Sequence, residues 1–163
     1  MTIDKLNSLD RDDFVQAVGW VFEHSPWVAE RAWNDRPFET IEALHQAMVR
    51  QVEAASQQEQ LALLRAHPDL GTRARVSGAS AAEQAGAGLD QLTPQEFEQL
   101  HSWNAEYRNK YGFPFLFAVQ GSTKHDILRA LEQRLRNTPE EEYEEALRQV
   151  YRIARLRIED SLG

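Results

Sequence analysis

The sequence predicts an all-α protein, a single-domain bundle of about seven to eight helices over residues 1–163. Three observations predict it. Apolar residues recur at three- and four-residue spacing along most of the chain, which is the period of one helix face. A Ser or Thr followed three positions later by Glu, the capping-box signature of a helix start, recurs at Ser56/Glu59, Ser80/Glu83, Thr93/Glu96 and Thr138/Glu141. Strand signals are nearly missing: "FPFLFAV" at 113–119 is a short apolar run, and its proline counts against a central strand.

Taken in order, Phe14, Val18, Val21 and Phe22 form the first apolar stripe after an acidic opening. In "SPWVAERAW" Ser25 is the expected cap and Pro26 the first helical residue, a position where proline's missing amide costs no bond. Ile41, Leu44, Met48 and Val52 mark the next helix, and Ser56/Glu59 open the one carrying "QLALLRA". The Gly- and Ala-rich stretch "GTRARVSGASAAEQAGAGLDQ" reads as a loop carrying one small-residue helix. Thr93-Pro94 starts a helix with Phe97, Leu100, Trp103 and Tyr107 on one face, stopped near Gly112. Ile127, Leu128, Leu131 and Leu135 give another. The last helix opens at about Pro139 and runs to about Ser161.

Composition narrows the function classes. Cysteine is absent, which excludes disulfides, thiolate catalysis and cysteine-based metal centres. A formal charge of −8 without a basic cluster argues against nucleic acid as a partner. No uninterrupted apolar run of about 18 residues exists, so no membrane partner is expected. The opening "MTIDKLNSLDRDDF" fits neither a secretory signal nor a transit peptide, and "DSLG" is not a Ser-Lys-Leu address. The expected location is cytoplasmic.

Three places hold candidate chemistry. Of the five histidines, His67 differs because Pro68 follows it. Proline moves its predecessor out of helical geometry, so "ALLRAHPDLG" sets an imidazole at a braced helix exit, either as a mere helix end or as an aimed acid–base group. No two histidines share an i, i+4 spacing and no His-Glu-x-x-His occurs, so no metal site is expected. Glu83 and Ser80 read as a capping box, yet a helix start rich in Ala and Gly also suits an anion. Arg157 falls inside the apolar stripe of the last helix, with Tyr143, Ala146, Leu147, Val150, Ile153, Ala154 and Ile158. A guanidinium there needs a buried carboxylate, carbonyl oxygens or a bound anion, unless it snorkels past the end of the core.

Together, "FEHSPWVAERAW", "HPDLG", "SAAEQAGAGL", "YRNKYGFPFLFAV" and "RIARLRIEDSL", in this order, resemble the 2-oxo-4-hydroxy-4-carboxy-5-ureidoimidazoline (OHCU) decarboxylase family of purine and urate breakdown. The resemblance covers nearly the whole chain. It implies an all-helical enzyme that needs no cofactor, works as a homodimer, and converts the small molecule OHCU to (S)-allantoin with loss of carbon dioxide. It implies catalytic roles for His67 and Glu83. It implies substrate contacts from Pro68, Ser80, Gln84, the strip Phe115, Leu116, Phe117, Ala118 and Val119, and Arg157.

Two rivals come from other classes. A helical peptide-binding module would show an apolar groove without converging polar groups. A ureide hydrolase would open a ring without releasing carbon dioxide.

Overall fold

The computed structural model describes residues 1–71 and 78–162. Among these the chain forms nine α-helices and no strand, in agreement with the all-α expectation. In chain order they are α1 (Ile3–Asn7), α2 (Arg11–Val18), α3 (Trp27–Ala32), α4 (Ile41–Glu53), α5 (Gln57–Arg65), α6 (Gly78–Gly86), α7 (Pro94–Tyr111), α8 (Lys124–Arg134) and α9 (Pro139–Leu162). The loop expected ahead of α6 falls on residues 72–77, outside the described residues.

Local chemistry explains the starts and stops. Ser56 and Thr93 accept the amide hydrogen bonds of Glu59 and Glu96, and each glutamate reaches back to its cap. Thr138 and Glu141 exchange the same pair of bonds. Gly112 ends α7 at φ 83°, a left-handed conformation that favours glycine.

Two expectations are corrected. Ser25 does not cap α3: its hydroxyl turns back to the carbonyl of Glu23, and the α3 start has no side-chain cap. Ser80 is not an N-cap either, because α6 begins at Gly78 and places Ser80 inside the helix. A further box, Thr123/Asp126 at the start of α8, escapes a search for glutamate, since aspartate serves there.

Contacts within the chain separate two compact units, Met1–Ala66 with Val150–Gly163, and His67–Gln149. In the first, Phe14, Val28, Leu44, Met48, Leu63 and Leu64 are buried, as are Val150, Ala154 and Ile158 from α9. The Asn7 amide bonds both the N–H and the C=O of Phe38, fastening α1 to the segment before α4. In the second unit Tyr107 packs edge-on against Phe113 and Phe115, while Leu100, Ile127, Leu131 and Ala146 are buried.

The ends of α7 and α8 in this second unit are tied by charge. Lys124 Nζ donates to Glu96 Oε1 at 2.7 Å and to the Gln91 carbonyl at 3.2 Å. The Lys124 ammonium, with the Thr93 amide, holds the Glu96 carboxyl down at about 2 from an ordinary 4.5. A carboxylate held low stabilises the fold above its unfolded pKa, and that stability is lost as pH falls through the folded value. Glu96→Gln is therefore expected to be less stable than the native chain at neutral pH. The two converge as pH falls from 4.5 toward about 2, as read from urea unfolding at each pH.

Candidate active site

The histidines sort by environment. His24 and His125 are exposed, each 3.8 Å from a glutamate oxygen. His101 is exposed and stacks on Phe97, with ring centroids 6.2 Å apart. His45 Nε2 lies 2.8 Å from the Tyr151 carbonyl, and burial holds its imidazole below the ordinary value. His67 alone of the five is buried, at 6% exposure.

His67 stands where the sequence predicts, just past the end of α5 at Arg65 and its C-cap Ala66. The half-buried Pro68 and Asp69 follow, then Leu70 and Gly71. Asp69 meets Arg108 of α7 at 3.1 Å, and Asn104 Nδ2 of α7 donates to the Leu70 carbonyl at 3.0 Å. Gly71 takes φ +73°, and a Cβ there would come within 2.4 Å of Leu100 Cδ2. Only glycine suits that point, so the turn after His67 is fixed by backbone chemistry as well as by proline.

Helix α6 inverts the usual pattern. Ser80, Glu83 and Gln84 share one face at i, i+3 and i+4. Ser80 and Gln84 are buried and Glu83 is half-buried, whereas Ala81, Ala82, Ala85 and Gly86 are exposed. A helix that turns its polar residues inward and its alanines outward gains little from apolar burial. Gln84 Oε1 accepts the Gly71 amide at 2.9 Å, joining α6 to the loop after His67. Gln84 Nε2 is buried without a hydrogen-bond partner among the described residues. A buried donor left without a partner costs about 1–3 kcal/mol, so it calls for an explanation. The helix exits through Gly88 at φ +82°, with Leu89 N–H returning to the Gln84 carbonyl and Gly88 N–H to that of Ala85. These bonds fix Gln84 at its backbone as well.

The segment 113–119 is an irregular connector, not a strand. Phe115, Leu116, Ala118 and Val119 are buried, while Phe117 is half-buried and stacks on Phe115 at 6.0 Å. The connector is held from one side. Arg134 donates to the Leu116 carbonyl, and Gln149 Oε1 accepts the Ala118 amide at 2.9 Å. Arg134 is itself fixed by Glu142 at 2.8 Å, and Glu142 also accepts from Tyr107 at 2.5 Å and Asn137 at 2.8 Å. Burial pushes the Tyr107 phenol far above its ordinary range, so it acts there as a donor. Two of the backbone groups expected to meet substrate, Leu116 C=O and Ala118 N–H, are thus taken by side chains of the protein.

Arg157 lies on α9 within the first unit at 3% exposure. Its Nη2 meets Glu23 Oε2 at 2.9 Å, and its Nη1 meets the Trp20 and Val21 carbonyls at 3.4 and 3.3 Å. Both protein partners that the sequence allowed for, a buried carboxylate and carbonyl oxygens, are present.

A family model described as OHCU decarboxylase matches residues 7–159. The chain belongs to the OHCU decarboxylase family. It is 48% identical over 160 residues to the 2-oxo-4-hydroxy-4-carboxy-5-ureidoimidazoline decarboxylase of Halalkalicoccus jeotgali, covering 98% of this chain and 91% of that one. A crystal structure of (S)-allantoin synthase superposes with a TM-score of 0.83 at 36% identity, over 99% of this chain. The chain spans 54% of that longer protein. A crystal structure of OHCU decarboxylase in the presence of (S)-allantoin gives a TM-score of 0.71 at 25% identity, over 91% of this chain and 96% of that one.

For an OHCU decarboxylase family member, motif reading alone misses Asn104, Arg134, Glu142 and Gln149. The signal was available for the first three. Asn104 sits between Leu100 and Tyr107 on the buried stripe of α7, Arg134 follows Ile127 and Leu131 on α8, and Glu142 precedes Ala146 and Val150 on α9. Each is a polar residue at an apolar period, the same anomaly that singles out Arg157.

Proposed function

We propose that this chain decarboxylates OHCU to (S)-allantoin with His67 as the acid–base group and the inward face of α6 as the substrate-holding surface. Membership of the family supports the reaction. The observation that carries the site is the buried Gln84 Nε2, a donor without a partner among the described residues, on the face it shares with Ser80 and Glu83 and tied through its oxygen to the loop that follows His67.

In the reaction the bond between the ring carbon and its carboxylate breaks and carbon dioxide leaves. The released electron pair enters the adjacent C=N bond, and one proton is taken up. The hydroxyl proton is relocated to the ureido-bearing carbon as the oxygen becomes a carbonyl. An imidazole with an ordinary pKa near 6.5 suits these transfers at neutral pH. His67 works on the hydroxyl, and Glu83 shares or tunes the proton. Ser80 and Gln84 hold ring and ureido groups beside Pro68.

With Leu116 and Ala118 engaged by Arg134 and Gln149, the Phe117 backbone is the part of the strip assigned to the ligand. Phe115 and Val119 flank it. The chain over residues 1–163 works as one domain, a homodimer in the cytoplasm. No helix among the described residues is long and apolar enough to cross a membrane.

Carbon dioxide release from freshly generated OHCU tests the reading. Catalysed release supports decarboxylation, whereas ring opening without carbon dioxide identifies a hydrolase instead.

A further inference from the structure

We infer that Asn104 is a positioning residue for this reaction, acting through the Leu70–Gly71 peptide to fix the direction in which Gln84 presents its amide. The inference rests on the reading that Gln84 holds substrate.

Asn104 is 4% exposed on the buried stripe of α7. Its Nδ2 donates to the Leu70 carbonyl at 3.0 Å, and the Gly71 N–H donates to Gln84 Oε1 at 2.9 Å. That carbonyl and that N–H belong to one planar peptide unit and point to opposite sides of it. Asn104, the peptide and Gln84 thus form a line of three amides, each donating to the next. The line begins at Asn104 Oδ1 and ends at Gln84 Nε2, and both terminal atoms are buried without partners among the described residues.

The peptide in the middle dictates the polarity of both ends. A side-chain amide can ordinarily turn over and exchange its oxygen for its nitrogen. Here a turned Asn104 would set oxygen against the Leu70 carbonyl, and a turned Gln84 would set N–H against the Gly71 N–H. Each bond in such a line also polarises the next, so a Gln84 whose oxygen accepts is a stronger donor at Nε2. The ligand atom that meets Gln84 is therefore an acceptor, a carbonyl or carboxylate oxygen or an imine nitrogen, and not a ring N–H. Asn104 touches no substrate in this account. It supplies register and direction.

A double-mutant cycle read as kcat/KM for OHCU decarboxylation tests this. Asn104→Ala is expected to lower kcat/KM by about tenfold, the upper range for one buried hydrogen bond. The same change in a Gln84→Leu background is expected to cost less than about twofold, because the group it acts through is gone. Asn104→Asp keeps the shape of the side chain, and far-UV circular dichroism checks that it folds. Its carboxylate opposes the Leu70 carbonyl, whereas its protonated form can donate again. The ratio of its kcat/KM to that of the native enzyme is therefore expected to rise as pH falls.

An equal loss from Asn104→Ala in both backgrounds, or a pH-independent Asn104→Asp ratio, would overturn the assignment while leaving the decarboxylase reading in place. A native chain that releases no carbon dioxide sinks both.

Discussion

Arg157→Ala lowers the free energy of unfolding by about 3–5 kcal/mol, the expected cost of removing one partner from a buried ion pair. The guanidinium and Glu23 are 3% and 2% exposed and lie 2.9 Å apart. Truncation strips the buried Glu23 of its arginine. It also removes the donor that meets the Trp20 and Val21 carbonyls. Against a typical total stability of about 5–15 kcal/mol, this is a large fraction. Urea unfolding of Arg157→Ala, Glu23→Gln and the double variant measures the coupling, and the double variant is expected to lose less than the two singles added. If stability holds while KM for OHCU rises, the arginine serves the substrate and the ion pair is dispensable.

His67→Asn lowers turnover by roughly 10²–10⁴-fold, the usual worth of general acid–base assistance. Asparagine retains hydrogen-bonding atoms but cannot exchange a proton near neutral pH. The side chain lies outside any helix, so helix content should be unchanged by far-UV circular dichroism. KM should move little, because Gln84 and the 115–119 connector remain. A variant that keeps its fold and its native turnover would reduce His67 to a helix stop.

Much of this architecture is legible in the residues. Capping boxes at Ser56, Thr93 and Thr138 and the left-handed Gly112 place helix ends where short-range chemistry decides them. Spacing misleads where a nearby carbonyl or an earlier helix start wins instead. Ser25 has the composition of a cap, yet the Glu23 carbonyl takes its hydroxyl. Ser80 and Glu83 have the spacing of a capping box, but α6 begins at Gly78 and turns both residues to its inner face.

For the candidate site, the proline after His67 and the apolar neighbours of Arg157 are visible in one dimension. The grip of Asn104 on Leu70 and of Arg134 on Leu116 spans 34 and 18 residues. Nothing local announces such bonds. What does show is the periodicity: polar residues set in apolar stripes, each of which needs a buried partner. Applied to every helix, that test points to Asn104, Arg134 and Glu142 as well as Arg157.

The proposed chemistry turns on a proton-exchanging imidazole that drives loss of carbon dioxide from OHCU. Its most direct measurement generates OHCU in solution and follows the circular dichroism of (S)-allantoin with the native chain and with His67→Asn. Rapid appearance of the (S) signal with the native chain, falling to near the spontaneous rate with the variant, is the expected result. A native chain that leaves the spontaneous, racemic course unchanged would contradict it.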